Sequence, residues 1–206
     1  MIYSYDLNAI YQKALLSSAA TSALKLHQRV STIPFQLSRT YFANLIIEDS
    51  FHYLLYSLIF MNSSPATICL MPCVGFALLH IASYSKTLLN LNGMQNTVLN
   101  KAVDFFISKD KDLMRFVALN EILMCPTIVV MIFSGKCGIF VPFIYYRFIC
   151  MRYQSRRNPY NRNMFYEIRI TIEYYASQPS CPQILRNFSQ KFIALVSRMA
   201  PQTATA

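Results

Sequence analysis

The chain has 206 residues, of which 54% are apolar and only 14% charged, with a formal net charge of +10. Soluble domains carry about 25% charged residues, so this composition excludes an ordinary water-covered globule. From Lys136 onward, ten Lys and Arg (136, 147, 152, 156, 157, 162, 169, 186, 191, 198) are opposed only by Glu167 and Glu173. Basic residues beside apolar runs point to anionic lipid headgroups, and with no nucleic-acid-binding motif beside them nucleic acid is not expected.

Along the chain, the first element is a helix over 5–29 with small residues at Ala14, Ser17, Ser18, Ala20 and Ser22. Such a face permits close helix packing. The stretch MIYSYDLNAIYQ has no basic region followed by an apolar one, so no cleavable signal peptide is expected. From Ser50 to Ser85 there is no Asp, Glu, Lys or Arg. That run is too long for one upright span and short for two. Asn62-Ser63-Ser64-Pro65 interrupts it with turn chemistry, which predicts a hairpin with arms over about 45–61 and 66–85. Glu48 and Asp49 open its first arm at headgroup level.

A second hairpin is predicted downstream. Phe116 to Phe133 is apolar around Asn120 and Glu121, Ser134 to Gly138 reads as a turn, and Ile139 to Met151 returns. The return arm has the length of a re-entrant or interfacial segment. Two hairpins place the N-terminus, the linker with Lys86, Lys101, Lys109, Lys111 and Arg115, and the basic C-terminus all in the cytosol. Only the turns then reach the lumenal side. Arg152, Arg156, Arg157 and Arg162 form a basic cluster expected at the membrane surface. Within the second hairpin Glu121 and Arg147 are expected to pair inside the membrane or to snorkel to its surface.

Past Pro159 the chain turns amphipathic. Ile184, Leu185, Phe188, Phe192, Leu195, Val196 and Met199 fall within about 120° of one another at helical spacing, the profile of a helix lying in a bilayer interface. Met164, Phe165, Ile168, Ile172 and Tyr175 make a weaker arc before it. The plan is an all-α membrane protein with two hydrophobic helical hairpins and C-terminal amphipathic helices. Its parts are a small-residue-rich helix within 1–41, a first hairpin over 42–85, a basic cytosolic linker over 86–115, a second hairpin over 116–151 and a basic cytosolic region over 152–206.

Chemistry-bearing patterns are sparse. The six cysteines lack zinc spacing. Asp49-x-x-His52 occurs once, where a di-iron bundle needs that motif twice with further carboxylates. No phosphate loop or nucleophile elbow is present. No catalytic residue, metal or cofactor is expected.

The blocks YQKALLSSAATSALKLHQR, FQLSR, EDSFHYLLYSLIF, LNEILMCPTIVVMIFSG, PFIYYRFICMRYQSRRNPY and IALVSRMAP resemble the transmembrane protein 33 family, whose insect members are called Krüppel homolog 2 and whose fungal members include a pore membrane protein. The similarity runs from about Tyr11 to Pro201. It implies a multi-pass protein of the endoplasmic reticulum and nuclear envelope without catalytic activity. It also implies roles in tubule organisation and nuclear pore distribution, with reticulon-type or nuclear pore membrane proteins as partners. Family members usually begin with a further apolar segment, and this sequence is expected to start after it. Residues and resemblance together favour a protein that shapes or organises membrane by hairpin wedging and an interfacial helix. The rivals are an adaptor working through the basic C-terminal region, and a small transporter or membrane enzyme lined by residues 48, 49, 52, 121 and 147.

Overall fold

The computed structural model describes residues 2–30, 41, 45–93, 97–155 and 158–200. Among them the regular structure is helical. In chain order come α1 (Ile2–Val30), α2 (Asp49–Met61), α3 (Thr67–Leu91), α4 (Val98–Ser108), α5 (Asp110–Phe133), α6 (Val141–Gln154), α7 (Tyr160–Ser177) and α8 (Gln183–Met199). Both predicted hairpins are present, as α2–α3 and α5–α6. Each pairs a short helix with a long one. α2 and α6 have 13 and 14 residues and reach about 20 Å at 1.5 Å per residue. α3 and α5 have 25 and 24 and reach about 36 Å, enough for a hydrocarbon core of about 30 Å.

The helices continue past the boundaries that charge alone suggests. α3 runs on to Leu91 through Lys86, and α5 begins at Asp110. The divisions at 85/86, 115/116 and 151/152 therefore fall inside helices. Lys and Arg are good helix formers, and Asp110 and Asp112 suit the first turn of α5 by complementing the helix dipole, so a helix need not end where its apolar stretch does. The expected linker also holds a helix of its own, α4.

Packing follows residue size. On α1, Tyr11, Leu15, Ala19 and Ser22 are buried at helical spacing, and α1 lies along α2 and touches α3. Ser18 is small enough to sit between them. Its hydroxyl donates to Cys73 Sγ at 3.4 Å and accepts from Ser57 at 3.2 Å. The core continues through an aromatic stack. Tyr56 of α2 is fully buried, with ring centroids 4.8 Å from Phe60 and 5.3 Å from Phe148 of α6. Its hydroxyl donates to the Cys69 carbonyl of α3 at 2.9 Å. Burying a ring such as Phe60 contributes roughly 1.5–3 kcal/mol.

The two turns that close the hairpins touch. Gly135 has φ of 67° and ends α5 in a Schellman arrangement, with Lys136 N–H donating to Met131 O at 2.8 Å and Gly135 N–H to Ile132 O at 2.9 Å. The carbonyl of Lys136 then accepts from Ser64 N–H at 3.0 Å. Both hairpin tips therefore lie at one end of the bundle.

Gly75 sets the approach of the long helices α3 and α5. A Cβ built there would lie 2.6 Å from Val117 Cγ2. Valine is stiff about χ1, so it cannot swing away freely. Gly75→Leu is expected to cost about 1–3 kcal/mol through overpacking, read as a lower unfolding midpoint in detergent. Gly138→Ala, where a Cβ meets nothing within 4 Å, should be close to neutral. Equal midpoints for the two variants would refute the close crossing.

Candidate functional site

The chemistry of the bundle is concentrated at Glu121, halfway along α5. Its residue is fully buried, and Arg152 of α6 is 1% exposed. An isolated buried charge of either sign would be prohibitive. Arg152 Nε donates to Glu121 Oε2 at 3.1 Å. Asn161 Nδ2 of α7 donates to the same oxygen, and Tyr53 OH of α2 donates to Oε1. The Tyr145 hydroxyl of α6 donates to the backbone carbonyl of Glu121 at 2.7 Å. One carboxylate thus joins α5 to α2, α6 and α7.

Arg152 extends the cluster outward. Its Nη1 donates to Asp49 Oδ1 at 3.1 Å, and the guanidinium lies 5.0 Å from the Tyr53 ring centroid, within cation–π range. Ser155 Oγ also donates to Asp49 Oδ1, at 3.1 Å. His52 is buried beside it, with Nε2 placed 2.7 Å from Ile46 O. Further out, Arg29 pairs with Glu48 at 2.7 Å and Arg115 with Glu167 at 2.8 Å.

Two expectations are corrected here. Glu121 does not pair with Arg147, which is exposed; its partner is Arg152. On α6 the buried residues are Tyr145, Phe148, Ile149 and Arg152, which share one helical face, whereas Arg147 falls on the other side. For the same reason Arg152 leaves the basic surface cluster. Of the rest, Arg162 is exposed on α7, and Arg156 and Arg157 lie outside the described residues. Of the groups expected to line a transport or catalytic site, Asp49 and Glu121 are tied together through Arg152, and Glu121 and His52 are shielded from solvent.

The second feature is α8. Its arc faces outward: Ile184 is 82% exposed and Phe188 66%, while Leu185, Phe192, Leu195 and Met199 are also exposed and Val196 is half-buried. The opposite side meets α7. Arg186 Nε donates to Ala176 O at 2.9 Å and Nη2 to Gln178 O at 3.2 Å. This satisfies carbonyls at the end of α7, where unpaired acceptors and the helix dipole favour a cation. At its other end, Met199 O accepts from Tyr146 OH of α6 at 2.8 Å. Phe188 and Phe192 stack with centroids 6.4 Å apart. The helix is held with its apolar side turned away from the protein. On α7 the weaker arc is half-buried at Met164, Phe165, Ile168 and Ile172 and exposed at Tyr175, and Phe165 packs on Tyr153 of α6 at 5.9 Å.

The family model for Transmembrane protein 33/Nucleoporin POM33 matches residues 1–202. The chain belongs to that family. It is 47% identical to the rat protein Transmembrane protein 33 over 97% of this chain and 81% of the relative. Identity to the human Transmembrane protein 33 is 46% over 96% and 79%, and to Krueppel homolog 2 of Drosophila melanogaster 40% over 95% and 70%. No solved structure matches the chain. Family membership and two helices of spanning length and apolarity, α3 and α5, make it an all-α membrane protein.

The Glu121–Arg152 pair supplies a prediction about this family member. Arg152→Leu or Glu121→Leu alone leaves an uncompensated buried charge and is expected to cost about 3–5 kcal/mol. The double variant should recover much of that, since an apolar pair of similar volume replaces a costly ionic one. Arg147→Leu should change little. Thermal unfolding in detergent checks all four, and a double variant as unstable as the sum of the singles would refute the pairing.

Proposed function

We propose that this protein is a non-catalytic organiser of endoplasmic reticulum and nuclear-envelope membrane. The observation that carries the reading is α8. Its apolar face is turned outward with Val196 alone half-buried, its polar face is bound to α7, and its far end is bonded to hairpin arm α6. A helix so oriented inserts its apolar side between headgroups and adds area to the leaflet it enters. The hairpins hold the chain in the bilayer, so the inserted helix deforms membrane that the protein already occupies. The family description includes a nucleoporin, which supports a nuclear-envelope location. By the resemblance, nuclear pore and reticulon-type membrane proteins are the partners proposed.

In the proposed topology the linker and C-terminal region are cytosolic and the turns lumenal. The bond between Ser64 and Lys136 supports it, because tied turns share one side. Arg162 and the exposed basic residues of α8, Lys191 and Arg198, then meet anionic headgroups, each contributing about 1 kcal/mol. An adaptor role is the second reading, and one observation favours it. Tyr166, Ile170 and Tyr174 stand exposed at four-residue spacing on α7, a stripe suited to a partner helix.

Topology is tested by placing a glycan acceptor in the linker near Gly93 and translating with microsomes. It should stay unmodified; efficient modification there would sink the two-hairpin arrangement. The role of α8 is tested by Phe188→Glu with Phe192→Glu. Each lost ring removes about 1.5–3 kcal/mol of burial, so a peptide over 182–201 carrying both changes should lose binding to small anionic vesicles. The full-length variant should remain membrane-inserted yet redistribute among tubules, sheets and pores. Unchanged distribution would count against membrane shaping by this helix.

A further inference from the structure

Charge patterning reads residues 86–115 as a basic cytosolic linker, yet α4 within it is as sharply two-sided as α8. Thr97 caps it, with Oγ1 accepting from Asn100 N–H at 3.3 Å. Asn100 and Val103 are buried toward α3. Lys86 of α3 binds across to Asp104 at 2.6 Å and to Asn100 at 2.9 Å. Val98, Leu99, Ala102, Phe105 and Phe106 all turn outward within an arc of about 120°. Val98 is 84% exposed, Leu99 and Phe105 62% and Phe106 54%. Against the protein α4 thus sets Asn100, Val103 and the ion-paired Asp104, while four of its large apolar residues stay uncovered, the reverse of a soluble surface helix.

We infer that α4 lies in the bilayer interface with Val98, Leu99, Phe105 and Phe106 among the headgroups. The occupant follows from connectivity. Only Lys109 separates α4 from α5, and α4 packs along α3. Among the described residues those are the two helices of spanning length and apolarity, so the exposed face of α4 is tethered where both emerge from the bilayer. A lipid surface is already the neighbour of that end of the bundle. Lys101, exposed at the edge of the arc, suits the water side of such a surface. In the two-hairpin topology α4 and α8 enter the same leaflet, and the protein wedges that leaflet at two places rather than one. The inference rests on the reading that α3 and α5 lie in the bilayer.

The chain has no tryptophan, so one introduced indole reports its own surroundings in the full-length protein. Phe105→Trp, Phe106→Trp, Lys101→Trp and Val130→Trp, with Val130 an outward residue of α5, are reconstituted into phosphatidylcholine–phosphatidylserine vesicles. At 105 and 106, emission should be blue-shifted and quenched more by lipid brominated near the headgroup than by lipid brominated near the chain end. At 101, quenching by aqueous acrylamide should be at least twofold stronger than at 106. At 130, brominated lipid should quench efficiently, which establishes that α5 is embedded. Quenching at 130 with water-like emission at 105 and 106 would overturn the inference while leaving the embedding of α5 intact. Blue-shifted emission at 105 and 106 that brominated lipid does not quench would mean a protein surface, such as a second copy, covers α4, and would overturn it equally. Loss of lipid quenching at 130 itself would remove the reading on which the inference rests.

Discussion

A carboxylate buried at the centre of a long apolar helix cannot remain unpaired, and the arrangement of the bundle follows from how Glu121 is satisfied. Tyr53, Arg152 and Asn161 come to it from α2, α6 and α7. An aliphatic residue in its place would be content with any apolar neighbour. The charged group accepts only a geometry in which three particular donors converge, so it selects one register for the short hairpin arms and draws α7 against α5. This is specificity obtained by penalising alternatives, because a slipped register leaves a buried charge without partners. Arg152 then passes the constraint on to Asp49 at the start of α2.

The register set there has consequences at both ends. Toward the turns, it brings Ser64 against Lys136 and stacks Tyr56 on Phe148. Toward the other end, α7 is held beside α5, and the end of α7 provides the carbonyls that Arg186 grips. The orientation of α8 therefore depends on a chain of contacts leading back to the ionic cluster. In the proposed membrane-shaping role such a helix is effective only if it is tethered at a defined angle, since a freely jointed one would follow the membrane rather than impose a shape on it. Buried polar chemistry in this protein is used to hold amphipathic surfaces in place.

Much of this was legible in the chain. The two hairpins could be placed because apolar runs with turn residues in the middle have few other solutions in a bilayer. The arc from Ile184 to Met199 could be read because helical periodicity depends on spacing alone. The family resemblance, carried by long blocks such as PFIYYRFICMRYQSRRNPY, also stands. Less visible was the pairing of Glu121. Arg147 lies in the more apolar stretch, but the helical spacing of Tyr145, Phe148, Ile149 and Arg152 was the available signal that Arg152 shares the buried face. For Tyr53 and Asn161 there was no such signal, as each is far from Glu121 in the chain and ordinary in its local setting.

The sequence by itself determined the two hairpins, the runs apolar enough for membrane and the arcs of α7 and α8, because those properties depend on residues a few positions apart; the arc of α4 went unread inside a run whose charges mark it as a linker. Only the tertiary structure decided which cation meets Glu121, that the two turns touch, and that α4 and α8 present their apolar faces outward. Those outcomes depend on residues brought together from distant helices. A periodic pattern states that a helix has an apolar side; what that side faces is decided by the helices that have already claimed its polar one.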